Sequence, residues 1–155
     1  MARRMSAGIL LYRRADAGLE VLIGHPGGPF FTTRDAGAWS VLKGEVHEGE
    51  ALEDVARREF EEEAGHPVPA GPLLPLGEVV QKGGKVVIAW AVEGDLDPAA
   101  AVSNVFEMEW PPGSGRIGSF AEIDRVAWFA PDEARRRLKA AQAPFVDRLE
   151  ALLSG

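Results

Sequence analysis

The segment at residues 50–64 constrains this chain more than any other, because it is an acidic helix whose carboxylates are not confined to one side. It lacks Gly and Pro and is rich in Ala, Leu, Glu and Arg, so we predict a helix. With about 100° per residue, its apolar side chains fall on one arc of the helix. These are Ala51, Leu52, Val55, Ala56 and Phe60. Glu59, Glu62 and Glu63 fall inside that arc rather than opposite it.

Two interpretations of this helix compete. An acidic helix is usually a solvated face, and that explains Asp54 and Glu61. It does not explain three carboxylates that continue the apolar stripe, because like charges at these spacings repel. Partly buried carboxylates either take up protons or require a cation. We therefore expect Glu59, Glu62 and Glu63 to supply oxygen ligands to a hard divalent ion, Mg²⁺ first and Mn²⁺ second.

The absence of cysteine narrows the chemistry further. It excludes a disulfide framework, a thiol nucleophile and a thiolate metal site. A metal would then bind to oxygen or to histidine nitrogen. His25, His47 and His66 are isolated and lack zinc-type spacing, so we expect surface or loop residues, with His47 a minor candidate to line a site.

Length and charge set the broad class. The 155 residues predict a single domain spanning the chain, and the net charge of −7 argues against nucleic acid as a partner. No run approaches the roughly 18–20 apolar residues of a membrane span, and the apolar stretch at 7–12 is too short for a signal-peptide core. A cytoplasmic protein is therefore expected. No helix face or strand edge predicts a dimer, so the oligomeric state stays open.

The rest of the chain predicts a layered α+β or α/β domain with a mixed sheet, because strands outnumber helices and their order is mixed. Predicted strands cover 6–13, 19–25, 39–42, 73–81, 85–92, 105–110 and 125–129. Predicted loops cover 26–38 and 111–119, which are rich in turn-forming residues. Two further helices are expected, at 131–140 and 144–153.

Residues near the acidic helix are candidates for ligand contacts. The bent loop before it carries Gly44, whose backbone carbonyl could reach a metal, and Lys43, which could touch a phosphate. Arg58 could pair with Glu50 or orient Glu59, or form an ordinary surface ion pair. Further phosphate contacts are expected from Arg34, Lys82 and Lys85. Aromatic candidates to stack a base are Phe30, Phe31, Trp39 and Trp90, although Trp90 fits a core position equally well.

The spacing of these residues resembles the Nudix box, G-x5-E-x7-R-E-U-x-E-E-x-G-U, in which U is bulky and aliphatic. Gly44 is followed after five residues by Glu50, and after seven more by the run at 58–65. All seven fixed polar or glycine positions match, whereas Phe60 and His66 depart at aliphatic positions. The segment at 39–44 is also similar to the W-x-x-P-K-G of dinucleoside polyphosphate hydrolases, with Leu42 in place of the proline.

The resemblance implies an α/β/α sandwich with a mixed sheet and the hydrolysis of a nucleoside diphosphate linked to another group. It implies that Glu59, Glu62 and Glu63 bind Mg²⁺ together with the Gly44 carbonyl. Catalytic roles would then fall to Arg58, Glu59 and Glu62, with Glu59 acting on the attacking water. Family members often add a carboxylate from a later loop, for which Glu122 is the first candidate and Glu107 and Glu109 are alternatives.

Three functions remain as hypotheses. The first is a Mg²⁺-dependent pyrophosphohydrolase, a hydrolase of phosphoric anhydride bonds, that acts on a small nucleotide such as a dinucleoside polyphosphate. The second is an enzyme of the same class that acts on ADP-ribose, a nucleotide sugar or a damaged nucleoside triphosphate. The third is a nucleotide-sensing module without catalysis, which the intact box disfavours. Divalent ions suit the first two, because they neutralise the phosphate charge and lower the pKa of bound water.

Overall fold

The computed structural model describes residues 4–155 and is built on a mixed sheet of six strands. These strands are β1 (Met5–Ala15), β2 (Gly18–Pro26), β3 (Leu42–Glu45), β4 (Leu74–Val80), β5 (Val86–Glu93) and β8 (Ile123–Phe129). A separate hairpin pairs β6 (Val105–Glu109) with β7 (Ile117–Ala121). The helices are α1 (Leu52–Ala64), α2 (Pro131–Arg137) and α3 (Ala143–Ser154).

Strand β1 organises the sheet, because three strands pair with it. It runs parallel to β5 and antiparallel to both β2 and β3. The strand order is β4-β5-β1-β2-β8, with β3 paired to the first half of β1. The predicted mixed sheet is therefore confirmed.

Helices cover both faces of the sheet. Ile9 and Leu11 of β1 pack with α1 in one buried cluster, whereas Leu10 and Tyr12 pack with α2 and α3 in the other. Successive side chains of a strand point to opposite faces, so a strand buried on both faces is apolar along its length. This explains the continuous apolar run in β1 and confirms the expected α/β/α sandwich.

The predicted strand at 39–42 is wrong, because the strand here is Leu42–Glu45. Trp39 and Ser40 form only isolated bridges. The register opposes Lys43 to Gly8 of β1, where a Cβ on the glycine would lie 2.7 Å from the Lys43 Cβ. Only a residue without a side chain lets β3 approach β1 so closely. This pairing carries Lys43 and Gly44 to the end of the sheet near α1.

The predicted loop at 111–119 is too long. Its last three residues belong to β7, which pairs with β6 so that Val105 lies opposite Ala121 and Glu109 opposite Ile117. The Pro, Gly and Ser residues mark only the turn at 111–116. The partner strand determines where the turn ends, and local composition does not reveal it.

Helix boundaries differ from the prediction by a few residues. α1 begins at Leu52 rather than at Glu50, whose side chain instead accepts a hydrogen bond from the His47 N–H. It ends before Gly65, which adopts a left-handed conformation with φ of 73°. α2 ends at Arg137 rather than at residue 140, because Leu138 is extended. Within residues 4–155, no helix is long and apolar enough to cross a membrane.

Gln142 joins three segments that meet beside the sheet. Its side chain is fully buried, and its Oε1 accepts from the Val41 N–H at 2.9 Å. Its Nε2 donates to Ser40 Oγ at 3.0 Å and to Gln81 Oε1 at 2.8 Å. The amide therefore ties the segment before β3 to the turn after β4 and to the start of α3.

We expect Gln142→Ala to lower the free energy of unfolding by roughly 2–3 kcal/mol, because the Val41 N–H is left buried without an acceptor. The midpoint of urea-induced unfolding measures this. The control Gln81→Ala removes only one of the three hydrogen bonds and should cost less than about 1 kcal/mol. Equal losses in the two variants would contradict this role of Gln142.

Candidate active site

The acidic face of α1 and the end of β3 border a cavity of about 330 Å³, called the carboxylate cavity below. Several residues singled out in the sequence line it. These are Lys43, Gly44, Glu59, Glu62, Glu63, Lys85 and Glu122. Carboxylates and ammonium groups thus line one small volume, although they come from α1, β3, the turn before β5 and the β7–β8 connection, which are distant in the sequence.

Gly44 is required by the close approach of Glu59. A Cβ built on Gly44 would lie 2.0 Å from the Glu59 carboxyl carbon, which is an impossible contact. The carboxylate therefore packs directly over the glycine backbone. The first glycine of the motif brings a main-chain peptide and a carboxylate to the same point.

Glu63 and Lys43 are partly buried beside one another in the cavity. The Lys43 N–H donates to Glu63 Oε1 at 2.9 Å, which joins β3 to the last turn of α1. Burial raises the pKa of Glu63 to about 8. Burial, reinforced by Lys85 and Lys139, lowers the pKa of Lys43 to about 8. Burial therefore disfavours the charged form of both side chains.

Glu59 and Glu62 differ in their exposure. The Glu59 side chain is 16% exposed, and burial followed by the neighbouring Glu62 raises its pKa to about 7. Glu62 is exposed, so the expectation that all three carboxylates continue the buried stripe is wrong for this residue. The adjacent loop binds its backbone, because the Asn104 N–H donates to the Glu62 carbonyl at 2.8 Å. In the described part of the chain, no three carboxylate or imidazole groups form a ready metal cluster.

Glu122 lines the cavity, and backbone hydrogen bonds hold its peptide groups on both sides. Its N–H donates to the Asn104 carbonyl at 2.9 Å, and its carbonyl accepts from the Gly27 N–H at 3.0 Å. These bonds fix the short connection between β7 and β8. Glu107 and Glu109, the alternative carboxylates, are exposed on β6 and do not line the cavity.

Arg58 pairs with Glu50, one of the two arrangements expected for it. Its Nη1 lies 2.5 Å from Glu50 Oε2, and its Nη2 lies 4.0 Å from Glu59 Oε1. Glu50 also accepts from the His47 N–H at 2.7 Å. Arg58 therefore links the loop before α1 to the edge of the carboxylate cavity.

Trp39 cannot stack a nucleobase as predicted, because it is 1% exposed. Its indole N–H donates to Asp35 Oδ1 at 2.6 Å, and its ring packs edge-on against Phe129. The strand-like composition of this segment gave no sign of this burial, which depends on contacts with the β8 end. Trp90 is 8% exposed and belongs to the core, in line with the alternative expected for it.

Arg34 and Lys82 do not line the carboxylate cavity. Arg34 is exposed, and its guanidinium carbon lies 6.0 Å from the Phe31 ring centroid. Lys82 lies in the turn between β4 and β5 and lines a different cavity, together with Lys139. Lys139 was not singled out in the sequence.

The prediction that His25 is a surface or loop residue is wrong, because the residue is fully buried. Its Nδ1 lies 2.9 Å from Asp124 Oδ1 and its Nε2 lies 2.6 Å from the Arg34 carbonyl oxygen. The ring therefore anchors the loop after β2 to the start of β8, close to Glu122. Its partners lie far apart in the sequence, so spacing alone could not reveal them.

A larger cavity, about 630 Å³, lies elsewhere, between the β1–β2 hairpin and α3. Its charged lining consists of Arg14 and Glu150, and its apolar lining includes Leu19 and Leu153. Size alone favours this cavity. The convergence of carboxylates, lysines and shifted pKa values favours the smaller one as the functional site.

Comparison with known proteins decides the family, because the NUDIX domain matches residues 2–149. The chain belongs to the Nudix family. It is accordingly a Nudix pyrophosphatase, a hydrolase of phosphoric anhydride bonds. No curated protein sequence matches the chain significantly.

Solved structures support the same fold. A C. elegans Ap4A hydrolase in a binary complex has a TM-score of 0.68 at 19% identity and covers 97% of this chain and 98% of its own. The NUDIX domain of Shewanella oneidensis NrtR, complexed with ADP ribose, has a TM-score of 0.67 at 16% identity. The match covers 99% of this chain and 90% of the NrtR domain. A mutT/nudix family protein from Listeria innocua has a TM-score of 0.64 at 18% identity. The match covers 99% of this chain and 96% of the Listeria protein.

In the presence of a chelator, we expect the protein to lose stability between about pH 5 and pH 8. The unfolded chain releases the protons of Glu59 and Glu63 near pH 4.5, whereas the folded state holds them up to about 7 and about 8. Their contribution is thus complete below the unfolded pKa and is lost as the pH rises through the folded values. The midpoint of thermal unfolding, measured across this range, records the loss.

The double variant Glu59→Gln/Glu63→Gln should flatten this pH dependence, because neither side chain titrates. A matched pair on the exposed face of α1, Glu53→Gln/Glu61→Gln, should leave the slope as it is. An equally steep slope in the first double variant would show that other groups cause it.

Proposed function

We propose that this protein is a Mg²⁺-dependent pyrophosphohydrolase that cleaves a nucleoside diphosphate linked to another moiety, with dinucleoside polyphosphates as the first candidates. One observation carries the proposal. A single cavity holds the carboxylates of Glu59, Glu62, Glu63 and Glu122 beside the ammonium groups of Lys43 and Lys85. Carboxylates suit divalent cations and lysines suit phosphate oxygens, so together they fit a metal-bound pyrophosphate.

The donor set fits a hard divalent ion. Glu59, Glu62, Glu63 and Glu122 would hold it together with the Gly44 carbonyl, all through oxygen, which Mg²⁺ prefers and Mn²⁺ accepts. The raised pKa values of Glu59 and Glu63 show that burial penalises their charge, and a cation would offset that penalty. Mg²⁺ would supply neutralisation of the phosphate charge and acidification of water.

Ser6 adds a second sign that the cavity takes a polar ligand. It is fully buried on β1, lines the carboxylate cavity, and its Oγ lacks a hydrogen-bond partner within the described residues. A buried hydroxyl without a partner costs free energy, so a partner from outside the chain is favoured.

The side chains divide into recognition and proton transfer. Lys43 and Lys85 would bind phosphate oxygens and hold the phosphate groups of the substrate against the carboxylates. Glu59 would accept a proton from the attacking water, since its carboxylate lies over the Gly44 backbone beside the other oxygen donors of the cavity. Glu62, next to Glu59 at the mouth of the cavity, would help to hold the metal. Arg58 would keep the motif loop in place through Glu50.

Other substrates remain candidates within the same class. The similar NrtR domain was solved with ADP ribose, which favours ADP-ribose as the second candidate. The similar Ap4A hydrolase favours dinucleoside polyphosphates. Nucleotide sugars and damaged nucleoside triphosphates complete the set. A sensing module without catalysis is the alternative of a different class.

A substrate panel tests the proposal. The protein is incubated with Mg²⁺ and a dinucleoside tetraphosphate, ADP-ribose, a nucleotide sugar or 8-oxo-dGTP, and the products are separated and identified. We expect cleavage of a phosphoric anhydride bond that depends on the metal and stops with chelator. Binding of these nucleotides without any cleavage would instead support the sensing module.

Removal of single carboxylates tests the site itself. We expect Glu63→Gln or Glu62→Gln to lower kcat by at least about 100-fold, because each removes a charged ligand from a site whose electrostatics stabilise the transition state. The matched control Glu61→Gln lies on the exposed face of the same helix and should retain activity. Full activity in Glu63→Gln would refute the metal assignment.

A further inference from the structure

The lysines of this chain are unusually placed. The sequence contains only four, Lys43, Lys82, Lys85 and Lys139, among 17 basic residues. All four line the carboxylate cavity or cavities next to it. Among the described residues, every side-chain ion pair with a carboxylate uses arginine or histidine, and none uses lysine. The lysines are therefore concentrated where the structure does not need them for ion pairs.

Shared lysines connect three cavities in a row. The carboxylate cavity shares Lys43 with a second cavity of about 130 Å³, which Lys139 also lines. Lys139 in turn lines a third cavity of about 530 Å³ together with Lys82 and Gln81. Lys43 and Lys139 each line two of the three cavities, so the cavities are neighbours that extend from the carboxylates to Lys82.

The segments that carry the lysines are held in fixed positions. The Lys139 N–H donates to the Trp39 carbonyl at 2.9 Å, and its carbonyl accepts from the Gln142 N–H at 2.8 Å. The side chain of Gln142 binds Val41, two residues before Lys43, and Gln81, which precedes Lys82. One buried amide therefore sets the spacing of all three lysine-bearing segments.

Electrostatics disfavour this cluster unless an anion joins it. Burial together with Lys85 lowers the pKa of Lys139, which lines the second and third cavities. Glu63 and Glu122 line the same two cavities as Lys43 but are themselves candidate metal ligands. A chain of phosphate groups laid along the lysines would offset their repulsion.

We propose that the four lysines form a phosphate track that extends from the carboxylate cavity and selects substrates bridged by more than two phosphates. The track names the substrate class of the proposed function and rests on that function for the bond that is cleaved. Its binding of phosphate chains does not depend on catalysis. Lys139, far from the motif in the sequence, is the residue that distinguishes the track from the motif itself.

Binding measured without metal tests the track apart from activity. Isothermal titration calorimetry in EDTA compares inorganic tripolyphosphate with pyrophosphate. We expect tripolyphosphate to bind more tightly, and Lys139→Gln to weaken its binding by about tenfold, as for the loss of one charged hydrogen bond. Lys139→Arg, which keeps the charge, should retain most of the affinity.

Arg14→Gln is the matched control. Arg14 and Ser6 lie near the two ends of β1, and Arg14 lines none of the three cavities. It removes one positive charge and should leave tripolyphosphate binding unchanged. Lys82→Gln, in an exposed turn that tolerates substitution, should also weaken binding. Equal binding by wild type and both lysine variants, or equal losses in Arg14→Gln, would overturn the proposal.

Kinetics separate this proposal from the proposed function. With Mg²⁺, Lys139→Gln should raise KM for a dinucleoside tetraphosphate by about tenfold and leave KM for ADP-ribose and both kcat values nearly unchanged. Equal changes in KM for both substrates would refute selection by phosphate number while leaving the hydrolase activity intact. Cleavage of no substrate of the panel by wild type would refute the proposed function, whereas the calorimetric result would still decide the track.

Discussion

The close approach of β3 to α1 is the constraint on which the site depends. Glu59 lies directly over the Gly44 backbone, and the Lys43 N–H donates to Glu63 Oε1 at 2.9 Å. This contact buries two carboxylates and the Lys43 ammonium in one small volume. Such burial raises carboxyl pKa values and lowers that of lysine, so the metal-free site opposes folding. The fold must tolerate that cost to keep the charges ready for a ligand.

Backbone hydrogen bonds transmit this arrangement to the rest of the site. At the end of α1, the Asn104 N–H donates to the Glu62 carbonyl, and the Asn104 carbonyl accepts from the Glu122 N–H. Glu122 then accepts from the Gly27 N–H, next to the loop that His25 anchors. Peptide groups that are paired in this way hold an exposed carboxylate in place without a rigid side-chain contact. The Glu122 backbone is therefore positioned through Asn104 by the end of the helix that carries Glu59, Glu62 and Glu63.

Features that depend on residues close together in the sequence could be predicted, whereas features that depend on partners far apart in the sequence could not. The placement of Glu59 and Glu63 follows from local helix periodicity, and both were predicted. The bounds of β3 depend on its pairing with Gly8 in a distant strand, and the burial of Trp39 and His25 depends on partners from β8. The predicted strand at 39–42 and the predicted exposure of these two side chains were therefore wrong. The position of Glu122 was inferred by resemblance, not from its own surroundings. Lys139 belongs to no local pattern in the sequence, and it was not predicted.

The division of labour between arginine and lysine explains how an acidic chain can hold a phosphate-rich ligand. Arginines such as Arg13, Arg135 and Arg137 each contact two or more carboxylates, which suits a planar group with several donors. Lysine is a compact charge on a flexible stem, and it adapts to phosphate oxygens at several positions along a chain. The net charge of −7 averages over both groups. A ligand meets the local field rather than the net charge, and at these cavities that field includes lysines that form no ion pair with a carboxylate within residues 4–155.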